Sequence, residues 1–207
     1  MKDLAIFGAG GFGREVALLI DQINQEKREW NFIGFFDDEA DAKGGLPIIG
    51  TSRALKDIKT PLHLAVAVAA PLVRRSIVGK LRGGELAFPV LCHPRANTGA
   101  RTNTLGKGTI ITEACILTTG ISIGEFVIVN LATTIGHDAR IGDFCSIMPG
   151  TNISGNVRIG HDSLVGTGAK ILQNLTLGER CRVGAGAVVI RDVKDGQTVV
   201  GVPAKPI

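Results

Sequence analysis

Two histidines, each followed by an aspartate, are the side chains best placed to do chemistry. His137 and His161 both lie in the tetrapeptide Ile-Gly-His-Asp, 24 residues apart. Imidazole exchanges its proton near working pH, and a neighbouring carboxylate can orient the ring and stabilise the imidazolium as it forms. Taken by themselves, both read as exposed histidines at bends of the chain, with general-base chemistry as the alternative that a His-Asp pair allows. The other two histidines read as structural: His63 opens an apolar run and His93 precedes Pro94. The four spacings do not supply three converging metal ligands. Cys92, Cys115, Cys145 and Cys181 contain no Cys-x-x-Cys pair, so no metal is expected.

A second candidate is the string Gly8-Ala9-Gly10-Gly11-Phe12-Gly13, a G-x-G-x-x-G match. It follows the apolar run at 3–7 and precedes a helical pattern with Val16, Leu19, Ile20 and Ile23 on one face. Glycines there admit phosphate or ribose to backbone N–H groups at a helix N-terminus. Asp37 and Asp38 end the next apolar run, where an acid can accept hydrogen bonds from a nucleotide. A dinucleotide site needs a second βαβ half, yet the sheet-like segment ends near residue 90. A mononucleotide-sized site is the reading, with a purely structural tight turn as its alternative.

The elements that must position these groups are written in the spacing. Every sixth residue from Leu105 to Val189 is aliphatic, fifteen in succession with no insertion. The position two before each is mostly small or β-branched, as at Thr109, Cys115, Val127, Ala139, Cys145, Cys181 and Ala187. Residues two apart on a strand share a face, so both columns point inward. A six-residue unit is too short for a hairpin; it is a short strand plus a bend, stacked coil on coil. Glycine recurs every eighteen residues at Gly106, Gly124, Gly142, Gly160 and Gly178, which makes three units per coil and a triangular prism. Corners need unusual backbone angles or close approach, and glycine supplies both.

Three expectations follow. The cysteines in the inward column are small hydrophobes. The two histidines, one coil plus one face apart, occupy different corners. The outward column Ile110, Ile128, Ser146 and Leu164 is apolar, which suggests a subunit contact. Ahead of the prism, runs at 3–7, 32–38, 63–69 and 88–91, with a helix starting at Pro71, make a βαβ unit with a parallel sheet. The expected fold is an α/β, Rossmann-like domain at 1–90 followed by an all-β parallel β-helix at 91–207.

Composition excludes several classes. The net charge of +4 is interleaved rather than striped, with no Tyr and one Trp, so no nucleic-acid partner is expected. No window of about eighteen apolar residues suggests a membrane span. Met1 leads straight into a charged, strand-like start without a signal-peptide pattern, which points to the cytoplasm.

Taken with Ser154-Gly155-Asn156-Val157-Arg158-Ile159-Gly160 and the closing Val200-Gly201-Val202-Pro203-Ala204-Lys205, the 8–13 string, Asp37-Asp38 and His137-Asp138 carry a resemblance over nearly the whole chain. The chain resembles the bacterial acetyltransferases of surface-glycan biosynthesis, of the sialic acid O-acetyltransferase and sugar-nucleotide N-acetyltransferase type. That resemblance implies a left-handed coil, a homotrimer, and acetyl-CoA as donor in the groove between neighbouring β-helices. It implies His137 as general base, with Asp138 beside it, in preference to His161. The nucleotide of the sugar would lie against Gly10, Gly11, Phe12, Asp37 and Asp38, near Ala69. Acetyl-CoA would lie near Ser146, Gly155, Thr167 and Ala185, chiefly on backbone groups, and Asn130 is a candidate for substrate positioning.

This sequence departs from some relatives in having Ser146 and Phe12 where they have histidine, and Ala69 where they have glycine. Those changes bear on the base and the sugar more than on the reaction type. The leading expectation is N-acetylation of a nucleotide-linked amino sugar. O-acetylation of a sialic acid or similar sugar, and a non-catalytic β-helix binding protein, are the alternatives.

Overall fold

The fold is read from a computed structural model, which describes residues 1–39, 47–81, 85–99 and 102–207. Its first half is a parallel sheet whose central strand is β1 (Lys2–Phe7). Leu4, Ala5 and Ile6 are wholly buried, as a strand covered on both faces requires. The chain continues through α1 (Gly11–Glu26), β2 (Trp30–Phe36), β3 (Ile48–Gly50), α2 (Ser52–Lys56), β4 (Leu62–Val66), α3 (Pro71–Lys80) and β5 (Leu86–Ala87). The strand order is β3-β2-β1-β4-β5, all parallel. In α1 the periodic residues Val16, Leu19 and Ile20 are buried, and Pro71 sits in the first turn of α3, where its missing N–H costs nothing.

The apolar run expected as a strand at 88–91 is not one: β5 ends just before it, and β6 (Leu91–Cys92) takes only its last residue. β5 joins the α/β sheet, and β6 pairs instead with Ile110–Ile111 of the prism. Pro89, which cannot donate to a ladder, lies between them.

From β6 onward the chain winds as a left-handed β-helix with three parallel faces. The first face carries Leu91–Cys92, Ile110–Ile111, Ile128–Val129, Ser146–Ile147, Leu164–Val165 and Arg182–Val183. The second face runs from Ile116–Leu117 to Val188–Val189, and the third from Thr104–Leu105 to Thr176–Leu177. Each strand pairs with the one eighteen residues on, as in Ile110↔Ile128↔Ser146↔Leu164. The inward column is buried throughout from Ile111 to Val189. Cys115, Cys145 and Cys181 are free and fully buried within it. Burial pushes the Cys145 thiol up to about 12, so these sulfurs are packing atoms and not nucleophiles. The small hydroxyls in the same column each reach a carbonyl, Thr109 that of Gly124 at 3.0 Å and Ser163 that of Gly178 at 3.0 Å.

The glycine column is explained by close approach alone. A Cβ at Gly142 would lie 2.7 Å from the His161 nitrogen, and one at Gly160 2.6 Å from the Glu179 nitrogen. The left-handed backbone falls two residues later, where Phe126, Phe144, Asp162 and Arg180 have φ of 52–61°.

The apolar outward column does not form the subunit contact expected of it. Ile110 and Ile128 are each 1% exposed within a single chain, and Ser146 is fully buried. The chain's own α/β unit covers this face: Ile110 and Leu91 share one core with Leu4, Ile6, Leu19 and Ile20. At the corner between the third and first faces, Phe126 and Phe144 stack with centroids 5.1 Å apart and pack with Val78, Leu86 and Phe88.

Candidate active site

His137 stands on the corner between the second and third faces, the corner opposite the face that the α/β unit covers. Its Nδ1 lies 2.8 Å from Asp138 Oδ2, and both side chains are about two-thirds exposed, at 66% and 65%. With Nδ1–H donated to the carboxylate, Nε2 carries the free lone pair. The ring lies over Gly155 of the next coil: a Cβ there would sit 2.5 Å from Nε2. Among the described residues the Gly155 N–H has no partner, so a free backbone donor lies close to the ring. Gly155→Ala should displace the imidazole and lower turnover by about tenfold or more while leaving the melting temperature nearly unchanged. Steady-state kinetics beside a thermal melt checks this.

His161 is bound differently despite its identical tetrapeptide. It stands on the corner between the third and first faces, and its Nδ1 accepts the Asp143 N–H at 2.9 Å. In the neutral ring that leaves the proton on Nε2, where no base is available. Its neighbour Asp162 is taken by Arg75, whose Nε donates to Oδ1 at 2.6 Å while the guanidinium lies 4.3 Å above the Phe144 ring. One imidazole is exposed beside a carboxylate, and the other is fixed to the backbone of the neighbouring coil.

The glycine string divides in the same way. Gly8 has φ +103° and would place a Cβ 2.9 Å from the Ala67 carbonyl; one at Gly13 would lie 1.9 Å from the Gly8 carbonyl. Those two glycines are structural. Gly10 and Gly11 meet nothing within 4 Å, and Gly10 caps α1 without a side-chain hydrogen bond. The first-turn N–H groups therefore open onto free space at the positive end of a helix, the arrangement that receives a phosphate. Phe12 is half-buried against the core. Asp37 accepts the Ala9 N–H at 2.7 Å and the Glu39 N–H at 2.9 Å, and Asp38 accepts the Ser52 N–H at 2.8 Å ahead of α2. Both acids brace the segments beside this helix N-terminus through backbone amides. Ala69, just beyond β4, completes the row of carboxyl ends where α/β sheets bind ligands.

Comparison with known proteins follows this division. The PglD N-terminal domain family matches residues 3–81, and the bacterial transferase hexapeptide (six repeats) matches residues 138–173 and 156–191. The chain is 36% identical to the acetyltransferase domain of PglB from Neisseria gonorrhoeae FA1090, covering 100% of both chains with a TM-score of 0.89. The chain belongs to the bacterial sugar acetyltransferase family that joins a PglD N-terminal domain to hexapeptide repeats. PerB from Caulobacter crescentus, solved in complex with CoA and GDP-perosamine, is 27% identical with a TM-score of 0.89 and is covered over 98% of its length, against 100% of this chain. The GDP-perosamine N-acetyltransferase of Escherichia coli O157:H7 is 32% identical over 141 residues, 67% of this chain. That match spans 63% of the relative's length, less than two thirds.

The donor-side residues expected from the family pattern are dispersed within one chain. Gly155 lies under His137, whereas Thr167 and Ala185 are exposed on the corner between the first and second faces. Ser146 is corrected. Its hydroxyl donates to the Ala69 carbonyl at 2.6 Å and accepts from Arg74 Nη2 at 3.0 Å, so it is committed to the junction of the two units and has no surface for acetyl-CoA. Asn130 is also buried, and its Oδ1 accepts the Leu131 N–H at 2.8 Å on a corner away from His137. Sequence reasoning passed over Arg74. The signal was present: Arg74 falls on the helical row of Ile77, Val78 and Leu81, an arginine on an apolar stripe.

Proposed function

We propose that this protein transfers the acetyl group of acetyl-CoA to the amine of a nucleotide-linked amino sugar, with His137 as the general base. The observation that carries the proposal is the His137–Asp138 pair at 2.8 Å, with Nε2 set over the open glycine corner. A thioester is already activated, so the protein has to align the amine and remove its proton. Nε2 takes that proton, Asp138 stabilises the resulting imidazolium, and the Gly155 N–H donates to the tetrahedral oxyanion. Residues 1–90 bind the nucleotide sugar through Gly10, Gly11 and the pocket rim held by Asp37 and Asp38. Residues 91–207 carry the acetyl transfer.

Geometry also supports an assembly. The nucleotide pocket belongs to the unit that covers the first face, while His137 stands at the opposite corner. Thr167 and Ala185 occupy a third position. A homotrimer brings one copy's pocket and donor groove to another copy's His137, which a single prism does not do. No helix among the described residues is long and apolar enough to cross a membrane. The proposal places the protein in the cytoplasm, as its use of acetyl-CoA as donor suggests.

The test is CoA release from acetyl-CoA with UDP-, GDP- and dTDP-linked amino sugars, with product mass read alongside. GDP-linked sugars come first, because two similar proteins carry GDP-perosamine in their names. Release and a gain of one acetyl group on an aminated sugar nucleotide is the expected result. Acetylation of free sialic acid alone would overturn it in favour of O-transfer, and binding of acetyl-CoA without release from any acceptor would make the chain a binding protein.

A further inference from the structure

Arg74 is the largest fully buried side chain among the described residues, and it has no carboxylate in contact. It lies at the junction of the two units. Nε donates to the Phe126 carbonyl at 2.9 Å, and Nη2 to the carbonyls of Phe144 at 2.8 Å and Cys145 at 3.0 Å and to Ser146 Oγ at 3.0 Å. Nη1 donates to the carbonyls of Val68 and Ala69. Burial pulls the guanidinium down to about 10, still cationic at neutral pH. The groups in contact with the charge are backbone carbonyls and the Ser146 hydroxyl, with the Asp162 carboxylate acting from further off.

Burying a cation is a poor way to glue two surfaces, since an apolar side chain of similar volume does so with less desolvation penalty. What the guanidinium supplies is direction. Its fork points one edge at the β-helix corner and the other at the residues just after β4, so it fixes the distance and angle between them. Ser146 closes the triangle, accepting from Arg74 and donating to Ala69. The segment thus held follows the carboxyl end of β4, beside β1 and the N-terminus of α1, where the function proposed above puts the nucleotide.

We propose that Arg74, through Ser146, is the positioning residue of the nucleotide-sugar site: it holds Val68 and Ala69 in the shape that binds substrate without touching substrate itself. The nature of the ligand rests on the function proposed above. None of the groups that Arg74 touches belongs to the His137–Asp138 pair, so the effect belongs to sugar binding and leaves the chemical step alone.

Arg74→Met, Arg74→Lys and Ser146→Ala separate this role from plain stability. In Arg74→Met the KM for the nucleotide amino sugar should rise about tenfold or more, the worth of a lost charge-assisted hydrogen bond. kcat and the KM for acetyl-CoA should stay within about threefold. Arg74→Lys should recover part of the loss, and Ser146→Ala should raise the same KM by about threefold with an unchanged melting temperature. Should Arg74→Met fail to fold, Ser146→Ala carries the test, because it removes one hydroxyl from both of the contacts that matter.

An unchanged sugar KM in Ser146→Ala and in every folded Arg74 variant, or a loss confined to kcat, overturns the inference. Calorimetry with GDP, UDP and dTDP distinguishes the two levels. If the wild type binds none of them, the nucleotide-sugar reading falls and this inference with it. If the wild type binds and the variants bind equally, the positioning role alone falls.

Discussion

Replacing His137 with alanine lowers turnover by at least about a hundredfold, while His161→Ala leaves it near the wild-type value. The expectation rests on what each ring nitrogen does. His137 Nδ1 faces Asp138 Oδ2 at 2.8 Å, so in the neutral ring that donates Nδ1–H to the carboxylate the free nitrogen is Nε2, over Gly155. His161 Nδ1 accepts a backbone N–H, so its neutral ring presents a proton at Nε2 and has no base to offer. Loss of a general base removes a term made in the transition state, so kcat should fall while both KM values change little. Asp138→Asn should fall between the two histidine variants, since the ring stays in place but the imidazolium is no longer stabilised. Equal losses from His137→Ala and His161→Ala would defeat the assignment. Both rings are on the surface of the chain, so neither variant should unfold it.

Ile128→Asp unfolds the junction of the two units; it does not release a folded monomer. Ile128 is 1% exposed within one chain, beside Ile110 and Ser146 on the face that the α/β unit covers. Truncating such a side chain costs about 2–5 kcal/mol, and a carboxyl with no partner in the same place adds to it. Total stability is about 5–15 kcal/mol for an ordinary domain, so this loss is a large share of it. The thermal midpoint should drop by many degrees and the soluble yield should fall. A smaller species on a sizing column with an unchanged midpoint would restore the subunit-contact reading of that column. An exposed control, Lys170→Asp on the second face, should do neither to any comparable degree.

Much of the scaffold was determined by the sequence alone, because a period of six with glycine every eighteen dictates which residues stack on which, though not the hand of the coil. The inward aliphatics, the buried cysteines and the placing of His137 and His161 on different corners all follow from that arithmetic. So does the glycine loop ahead of α1, where local backbone geometry selects the residue type. Local period could show that the column through Ile110 and Ile128 was apolar, but not what covered it. A partner subunit and the chain's own N-terminal unit leave the same pattern of residues, and only tertiary packing separates them.

The same limit hid Ser146 and Arg74. Their partners lie 72 residues apart in the chain, and a hydrogen bond at that separation leaves no periodic trace. The two Ile-Gly-His-Asp motifs make the point within a single element type. Their sequences are identical, and the coil above or below each one decided what its ring touches: Gly155 opened the space for His137, whereas the Asp143 N–H took the Nδ1 of His161. Residue type and spacing determined where each ring would stand, and contacts across coils decided which nitrogen was left free to react.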